Sequence, residues 1–332
     1  MATIAFFEVE DQDKQKIKKA FSGHKLLISS KTIHDENLSQ FSDAEIISVF
    51  VYSKVSQQII SSFPKLKLIA TRSTGYDHID IYECNKRSIS ISTVPNYGKH
   101  TVAEHAFALL LALARKMEQS VERTRRAVFE SSGLTGFDLN GKTIGVIGTG
   151  NIGLHAVQIA KGFGMDVIAY DAFPNEGAAK LYGYRYVSLI DLLKNSDIIT
   201  IHVPLIGNTT HLLNKKNMKL IKKGAILINT SRGGIVETAA LVDALNSGRL
   251  AGVGLDVLEE ELLIKDKSQL FKKLKRKQLD TALSDYYLLD HPNVIVTPHN
   301  AFNTKEALGR ILDQTIENIQ GYLKNKPVNI VK

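Results

Sequence analysis

The feature that most constrains this chain is a glycine pattern directly after a short apolar run. Thr143-Ile-Gly-Val-Ile-Gly148 has the character of a buried strand, and Gly148-Thr-Gly150-Asn-Ile-Gly153 follows at its end. A helical stretch comes next, and a second apolar run ends at Tyr170 with Asp171 at its tip. This order predicts a dinucleotide-binding βαβ unit: a strand, a glycine turn, a helix, and a second strand followed by a carboxylate. The alternative is a glycine-rich turn followed by an unrelated surface aspartate.

Each residue of this pattern has its own physical role. Gly148 permits the tight turn, Gly150 lets the backbone approach a pyrophosphate, and Gly153 lets the helix pack closely on the strand. Asp171 would accept hydrogen bonds from the hydroxyls of an adenosine ribose and would repel a 2′-phosphate. The pattern therefore predicts NAD or NADH as the cofactor and disfavours NADP.

Apolar runs of strand length alternate with helical stretches along most of the chain. The first part contains Thr3–Phe7, Glu45–Val51 and Leu66–Ala70. The later strands are predicted at Thr143–Gly148, Asp166–Tyr170, Asp197–His202, Ala225–Asn229, Gly252–Asp256 and Val294–Thr297. Such alternation is typical of parallel sheets covered by helices. The predicted fold class is α/β, with two Rossmann-like, doubly wound parallel-sheet domains.

The length and the charge narrow the class of protein further. A chain of 332 residues suggests two domains, because a single core stops growing at about 250–300 residues. The net charge of +8 raises the question of nucleic acid. The basic runs Lys14–Lys19, Lys215–Lys223 and Lys265–Lys277 have no RNA-binding motif or interleaved aromatic residues, and tryptophan is absent. We interpret them as solvated surface and expect no nucleic-acid partner.

Other signals point to a protein of a reducing compartment. Cys84 is the single cysteine, so the chain has no internal disulfide and no thiol cluster for a metal. No metal site is predicted. The N-terminus lacks the pattern of a secretory signal, and the longest apolar run falls short of the ~20 residues of a membrane helix. We therefore expect a cytoplasmic protein with no membrane partner.

Three polar residues follow predicted strands in the second half of the chain. They are Arg232 after Asn229, Glu261 after Asp256, and His299 after Thr297. The carboxyl ends of parallel strands meet at one edge of a sheet, so these side chains should lie at the same edge. Each has an ordinary alternative: a surface ion pair for Arg232, a solvated acidic run for Glu261, and a satisfied loop position for His299.

Several ordered motifs together carry a family resemblance. They are Arg72-Ser-Thr-Gly75-Tyr-Asp-His-Ile-Asp80, Val94-Pro-Asn-Tyr97, Val102-Ala-Glu-His105, Gly148–Gly153, His202-Val-Pro204, Asn229-Thr-Ser-Arg232-Gly and Thr297-Pro-His299. With them the chain resembles the D-isomer-specific 2-hydroxyacid dehydrogenases over nearly its whole length, and within them the D-lactate dehydrogenase branch. The long interval between Glu261 and His299 is similar to that branch.

The resemblance implies a set of functional residues. The catalytic residues would be Arg232, which binds and polarises a 2-keto acid, His299, which is the general acid and base, and Glu261, which orients His299. The substrate-binding residues would be Tyr52, Thr74, Gly75, Tyr97 and Phe302. The cofactor-binding residues would be Gly148, Gly150, Asn151, Ile152, Gly153, Asp171, His202, Val203, Pro204, Thr209, Thr230, Ser231 and Asp256. For Tyr52, an ordinary strand position is an equal alternative.

The resemblance also implies how the domains are arranged. An NAD-binding domain at 99–299 would be inserted into a flavodoxin-like substrate domain formed by 1–98 and 300–332, with the active site in the cleft between them. The stretch Val102–Lys116 reads as a long, nearly all-apolar helix. We expect a neighbouring domain or a second subunit to cover it, and we predict a homodimer through this helix.

The implied reaction is pyruvate plus NADH to D-lactate plus NAD. Tyr97 is followed by Gly98-Lys99, where the lactate branch commonly has Ser-Pro. A larger 2-keto acid, such as 2-ketoisocaproate or phenylpyruvate, and hydroxypyruvate therefore remain as alternatives. A further alternative is a non-catalytic relative that senses NAD.

The predicted pair of Glu261 and His299 has a consequence for the pH profile. A neighbouring carboxylate favours the imidazolium form of His299, which is the acid that reduction needs. We expect the alkaline limb of the rate of pyruvate reduction to move to lower pH in the Glu261→Gln variant. Steady-state rates over a pH series measure the shift, and an unchanged profile would mean that Glu261 does not act on His299.

Overall fold

Residues 1–265 and 276–331 are described by a computed structural model, in which the chain divides into two compact units. The first unit comprises Met1–Tyr97 and the segment that begins at Thr304, and the second comprises Gly98–Asn303. Most of the basic run Lys265–Lys277, interpreted above as solvated surface, lies outside the described residues.

The first unit is built on a five-stranded parallel sheet. Its strands are β1 (Thr3–Phe6), β2 (Lys25–Ile28), β3 (Ile46–Val49), β4 (Leu68–Thr71) and β5 (Ser90–Ser92), and its first helices are α1 (Asp11–Ala20), α2 (Gln57–Ser61) and α3 (Ile81–Lys86). The strand order is β2-β1-β3-β4-β5. All neighbouring strands pair in parallel, which is the flavodoxin-like arrangement.

The second unit is built on a seven-stranded parallel sheet. Its strands are β6 (Thr143–Ile147), β7 (Asp166–Tyr170), β8 (Arg185–Tyr186), β9 (Ile198–Ile201), β10 (Ala225–Asn229), β11 (Leu250–Leu255) and β12 (Val294–Val296). Its helices are α4 (Lys99–Ala114), α5 (Met117–Arg125), α6 (Asn151–Gly162), α7 (Glu176–Tyr182), α8 (Leu189–Asn195), α9 (Thr238–Asn246), α10 (Glu261–Lys265) and α11 (Arg276–Asp290). The order β12-β11-β10-β9-β6-β7-β8 is that of a doubly wound nucleotide-binding sheet.

The two sheets confirm the predicted fold class. Helix α12 (Lys305–Leu323) returns the chain to the first unit, where Leu312, Ile316 and Ile319 pack in one core cluster with residues of β1 and α1. The second unit extends to Asn303, a few residues beyond the predicted boundary at 299. The reason is that Asp256, at the end of β11, accepts hydrogen bonds from backbone N–H groups in this segment, as described below.

One predicted strand is too long. The strand predicted to run to Val51 ends at Val49, because the backbone N–H of Phe50 donates to the Glu8 carboxylate at 2.8 Å instead of to a strand. Tyr52 therefore lies in a turn after β3, and its interpretation as an ordinary strand residue is wrong.

The strand ends of the second sheet lie in register. Parallel pairing aligns Ile147, Tyr170, Ile201, Asn229, Leu255 and Val296 in one row. The residues that follow them are Gly148, Asp171, His202, Thr230, Asp256 and Thr297. All of these except Thr297 are predicted cofactor residues. The strand order reverses between β6 and β9, and ligands of such sheets bind outside the carboxyl ends of the strands at that point.

Helix α4 is covered by its own unit. Ala106, Leu109 and Leu110 are buried in one core cluster with residues of α6, β6 and β10. Leu109 also lies against β11, because a Cβ atom on Gly254 would be 3.0 Å from the Leu109 Cβ. The expectation that a neighbouring domain or a second subunit buries this helix is wrong for the face that the second sheet covers. The homodimer through Val102–Lys116 stays a prediction.

Among the described residues, no helix combines the length and the apolar character that crossing a bilayer requires.

The packing of α4 generates a stability prediction. Leu110 is 1 % exposed, so Leu110→Ala leaves a cavity between the helix and the sheet. We expect it to lower the free energy of unfolding by about 2–5 kcal/mol. Leu283→Ala on α11, where the side chain is 60 % exposed, is the control and should change it little. Denaturant titrations followed by circular dichroism compare the two, and equal effects would contradict this account of α4.

Candidate active site

The glycine turn after β6 is closed toward the protein. Gly148 has a φ of +92°, a left-handed conformation that favours glycine. A Cβ atom on Gly148 would lie 2.7 Å from the carbonyl oxygen of His202 at the end of β9. A Cβ on Gly153 would lie 1.9 Å from the carbonyl oxygen of Gly148, so α6 starts in backbone contact with the turn. These contacts leave no room for a side chain at either position.

The same turn is open at Gly150. Apart from Gly150 and its chain neighbours, no described residue has an atom within 4 Å of the position that a Gly150 Cβ would occupy. Helix α6 begins at Asn151 and Ile152 with the positive end of its dipole, where phosphate groups bind favourably. The turn therefore fits the pyrophosphate of a dinucleotide.

The Asp171 carboxylate is hydrogen-bonded to this turn. Its Oδ2 accepts hydrogen bonds from the backbone N–H of Thr149 at 2.6 Å and from Thr149 Oγ1 at 3.0 Å. Its Oδ1 accepts from the backbone N–H of Phe173 at 2.9 Å. Carboxylate oxygens have further lone pairs. Asp171 can thus receive ribose hydroxyls while it is held in place.

Tyr186, which the sequence analysis does not predict as a site residue, supports the glycine turn next to Asp171. The Tyr186 hydroxyl lies 2.7 Å from Thr149 Oγ1 and 3.0 Å from the Tyr184 hydroxyl, and it accepts from the backbone N–H of Asn175 at 3.0 Å. Burial raises the pKa of Tyr184, so this phenol stays neutral at physiological pH. The two residues of β8 are too few for a period-two pattern, so the sequence carried no local signal for Tyr186.

The loop after β9 carries four further predicted cofactor residues. His202 Nε2 lies 3.0 Å from Thr200 Oγ1, and burial lowers the pKa of His202 to about 4, so the ring is neutral near pH 7. Val203 lies beside the glycine turn, with Cγ1 at 2.7 Å from the Cβ position of Gly148. Thr209 Oγ1 donates to the carbonyl oxygen of Pro204, which closes the loop on itself.

Arg232 lies in a turn that the Asn229 side chain shapes. Asn229 Oδ1 accepts from the backbone N–H of Ser231 at 3.0 Å, and its Nδ2 donates to the Arg232 carbonyl at 2.9 Å. Ser231 Oγ donates to the Ile201 carbonyl on β9 at 2.8 Å. Thr230 Oγ1 is buried and has no hydrogen-bond partner among the described residues. The motif that contains Asn229 contributes to the family resemblance, but the sequence alone does not indicate that the Asn229 side chain shapes this turn.

The turn at Arg232 touches the loop that leads to Glu261. A Cβ atom on Gly233 would lie 2.1 Å from both the carbonyl carbon and the carbonyl oxygen of Leu258. Only a residue without a side chain allows this approach of two backbones. The contact brings the segment after Arg232 against the segment before Glu261.

Glu261 and His299 form a hydrogen-bonded pair. Glu261 Oε1 lies 2.8 Å from His299 Nδ1. The side chains are 30 % and 17 % exposed respectively, so the pair is accessible but partly shielded from water. His299 adopts a left-handed φ of +53°, which is uncommon for a residue other than glycine. The structure thus brings together the predicted base and the predicted acidic residue, which lie far apart in sequence.

Asp256 holds the loop that contains His299. Its Oδ1 accepts from the backbone N–H of Asn300 at 2.9 Å and its Oδ2 from that of Ala301 at 2.8 Å. Thr297 Oγ1 donates to Oδ1, and His105 Nε2 lies 3.0 Å from Thr297 Oγ1. The Asp256 side chain is fully buried. Asp256 therefore holds the backbone after His299 and the Thr297 side chain before it, a role that the sequence alone does not indicate. Its predicted contact with the cofactor stays a prediction.

The predicted substrate residues fall in both units. Tyr52 follows β3, Thr74 and Gly75 follow β4, and Tyr97 follows β5, which places all four at the carboxyl edge of the first sheet. Thr74 Oγ1 donates to the carbonyl oxygen of Val94 at 2.7 Å. Phe302, predicted to lie with the first unit, belongs to the second and is 9 % exposed.

Within residues 1–265 and 276–331, no group of three or more histidine, cysteine, aspartate or glutamate side chains is arranged to hold a metal ion.

Comparison with known proteins gives consistent matches over the whole chain. Residues 107–301 match the family described as D-isomer specific 2-hydroxyacid dehydrogenase, NAD binding domain. The D-lactate dehydrogenase of Escherichia coli is 33% identical over 332 residues, which cover 97% of each chain. The glyoxylate reductase of Thermococcus litoralis is 37% identical over 302 residues, which cover 89% of this chain and 85% of that protein.

A solved structure agrees with these matches. The D-lactate dehydrogenase of Aquifex aeolicus, in complex with NAD and lactic acid, has a TM-score of 0.88 and 37% identity, with coverage of 97% of this chain and 96% of that chain.

The backbone contact at Gly233 generates a prediction with a matched control. Gly233→Ala must push the Leu258 backbone away, and a displacement of about 1 Å at a site can cost a factor of about 100 in rate. We expect a loss of that order in the reduction of 2-keto acids. Gly234→Ala is the control, because its Cβ would meet Leu205 at an ordinary 3.4 Å. Initial rates of the two variants decide: a Gly233→Ala protein as active as Gly234→Ala would refute the role of this contact.

Proposed function

Since this chain belongs to the D-isomer-specific 2-hydroxyacid dehydrogenase family, we propose that it is a D-lactate dehydrogenase, which reduces pyruvate with NADH. The family places it among the oxidoreductases that act on the CH–OH group of 2-hydroxy acids. Its NAD-binding domain matches the family over residues 107–301. The choice of pyruvate rests on the resemblance to D-lactate dehydrogenases.

One observation carries the proposed chemistry: Glu261 Oε1 lies 2.8 Å from His299 Nδ1. A carboxylate on one ring nitrogen fixes the orientation of a histidine and favours its protonated form. Because Nδ1 is directed at Glu261, we assign the exchange of a proton with the substrate to Nε2. Glu261 is then a positioning residue and His299 is the general acid and base.

The reaction balances with these residues. When bound, NADH supplies the hydride that adds to the keto carbon. His299 donates a proton from Nε2 to the carbonyl oxygen, so that C=O becomes CH–OH and the imidazolium becomes a neutral imidazole. Arg232 binds the substrate carboxylate and polarises the carbonyl group, because guanidinium presents several N–H donors in a fixed plane. In the oxidation of the hydroxy acid, the neutral His299 accepts the hydroxyl proton.

We assign substrate binding to the remaining predicted residues. Backbone amides at Thr74 and Gly75 would hold the substrate carboxylate, and Tyr52, Tyr97 and Phe302 would surround the side chain at C3. Three aromatic residues in this assignment favour a substrate with a small side chain, such as the methyl of pyruvate. This supports pyruvate over 2-ketoisocaproate or phenylpyruvate.

Asp171 supports our proposal that the cofactor is NAD rather than NADP. Its carboxylate is held at the glycine turn by the backbone of Thr149 and Phe173. Two ribose hydroxyls would donate to this carboxylate. A 2′-phosphate would be repelled by it, because its hydrogen bonds to the backbone hold the carboxylate in place. A homodimer and a cytoplasmic location remain part of the proposal, and sedimentation equilibrium tests the first.

A steady-state screen tests this function. The substrates are glyoxylate, pyruvate, hydroxypyruvate, 2-ketoisocaproate and phenylpyruvate, each with NADH and with NADPH. We expect the highest kcat/KM for pyruvate with NADH, and D-lactate as the product. His299→Asn should lower kcat by about 10²- to 10⁴-fold, as expected for the loss of a general acid. The control is His34→Asn, at an exposed histidine of the first unit.

The other outcomes of the screen reassign the function. A higher kcat/KM for glyoxylate, hydroxypyruvate or a larger 2-keto acid would replace pyruvate as the substrate. Binding of NADH without turnover of any of the five acids would favour an NAD-sensing protein.

A further inference from the structure

The loop that carries Glu261 is attached to helix α11 by a buried carboxylate. Asp285 is 0 % exposed, and its Oδ2 accepts the backbone N–H of Glu260 at 3.0 Å. Glu260 immediately precedes Glu261, which starts α10. The hydrogen bond therefore fixes the peptide next to the residue that pairs with His299. No sequence motif pointed to Asp285, because it lies on a helix without a strand end or a glycine turn nearby.

The loop that carries Glu261 also contains a carboxylate of its own, Glu259, which bonds to α9 and to the loop after β9. Glu259 Oε2 accepts from the backbone N–H of Thr238 at 3.1 Å and from Thr238 Oγ1 at 2.8 Å. Glu259 Oε1 lies 2.7 Å from His211 Nε2. Glu259 thus gives the loop a second attachment, through α9 and the loop after β9.

Thr238 links the two carboxylates. Its Oγ1 lies 3.5 Å from Asp285 Oδ1, in addition to the bond to Glu259. Burial raises the pKa of Asp285 to about 7, and the neighbouring carboxylates of Glu259 and Glu260 act in the same direction. The Thr238 hydroxyl is the donor between the two carboxylates, with Glu259 Oε2 as its nearer acceptor and Asp285 Oδ1 as its more distant one. The three side chains then form one chain of donors and acceptors that ends at His211.

We propose that Asp285 is a positioning residue for catalysis: by accepting the Glu260 N–H, it holds Glu261 at hydrogen-bond distance from His299. The kinetic side of this proposal rests on the proposed function. A small movement of the loop would lengthen the 2.8 Å contact between Glu261 and His299 without touching the cofactor turn. Loss of Asp285 should therefore lower kcat and leave the KM for NADH near its wild-type value.

Two substitutions separate positioning from simple packing. Asp285→Asn has nearly the same shape and keeps an oxygen that can accept the Glu260 N–H. Asp285→Leu fills a similar volume but leaves the Glu260 N–H buried without its acceptor. We expect kcat to stay near wild type in the Asn variant and to fall about 10- to 100-fold in the Leu variant. Asp280→Leu, at an exposed aspartate of the same helix, is the matched control.

A double-mutant cycle tests whether Asp285 acts through Glu261. If it does, Asp285→Leu has little further effect on kcat in the Glu261→Gln background. Equal losses of kcat in both backgrounds, or a Leu variant with wild-type kcat, would overturn the proposal. Should the Leu variant fail to fold, Asp285→Ala serves in the same cycle.

A spectroscopic measurement keeps this proposal separate from the proposed function, because it needs no turnover. The His299 ring is titrated by NMR in the wild type and in the Asp285 and Glu261 variants. We expect the titration midpoint of Asp285→Leu to move toward that of Glu261→Gln, and Asp285→Asn to keep the wild-type midpoint. An unmoved midpoint in the Leu variant overturns the positioning role. If no 2-keto acid is reduced but the midpoint moves as expected, the proposed function fails and the positioning role stands.

Discussion

The register of the second sheet is the constraint on which the site depends. Parallel pairing aligns the last residues of its strands, so the residue after each strand emerges at one edge. Gly148 and Asp171, which we propose for the cofactor, lie along this edge, and the segments after β10, β11 and β12 carry Arg232, Glu261 and His299. A slip of one residue in any strand would turn the side chain that follows the strand to the other face of the sheet. The burial of the apolar strand faces fixes this register and, through it, the positions of the residues proposed for catalysis.

The loops beyond this edge are held by carboxylate side chains that accept hydrogen bonds from their backbone. Asp171 binds backbone amides at the glycine turn, Asp256 binds those beside His299, and Asp285 binds the one before Glu261. An ionised carboxylate accepts from several N–H groups at once, and such charge-assisted bonds are stronger than neutral ones. Asp285, with its raised pKa, holds a single amide and a hydroxyl. Each loop can thus keep an irregular backbone, including the left-handed conformation of His299, without regular secondary structure to support it.

The sequence predicted the glycine turn, the fold class and most strands of the second sheet, because each depends on local residues. Gly148 needs its positive φ wherever the turn occurs, and buried strands need apolar runs. Strands β2, β5 and β8 were missed because they are short or carry polar residues. The strand predicted to reach Val51 was too long because a distant residue, Glu8, takes the backbone N–H of Phe50.

The sequence by itself determined the dinucleotide turn, because its glycines and flanking strands are local. Its ordered motifs determined the family, and the resemblance to that family implies which residues are proposed for catalysis. Only the tertiary structure decided that the sheet covers α4, that Asp256 holds the His299 loop, and that Asp285 lies behind Glu261. These contacts join residues far apart in the chain. Their hydrogen bonds depend on where separate elements meet in space, and a pattern along one segment carries no record of that.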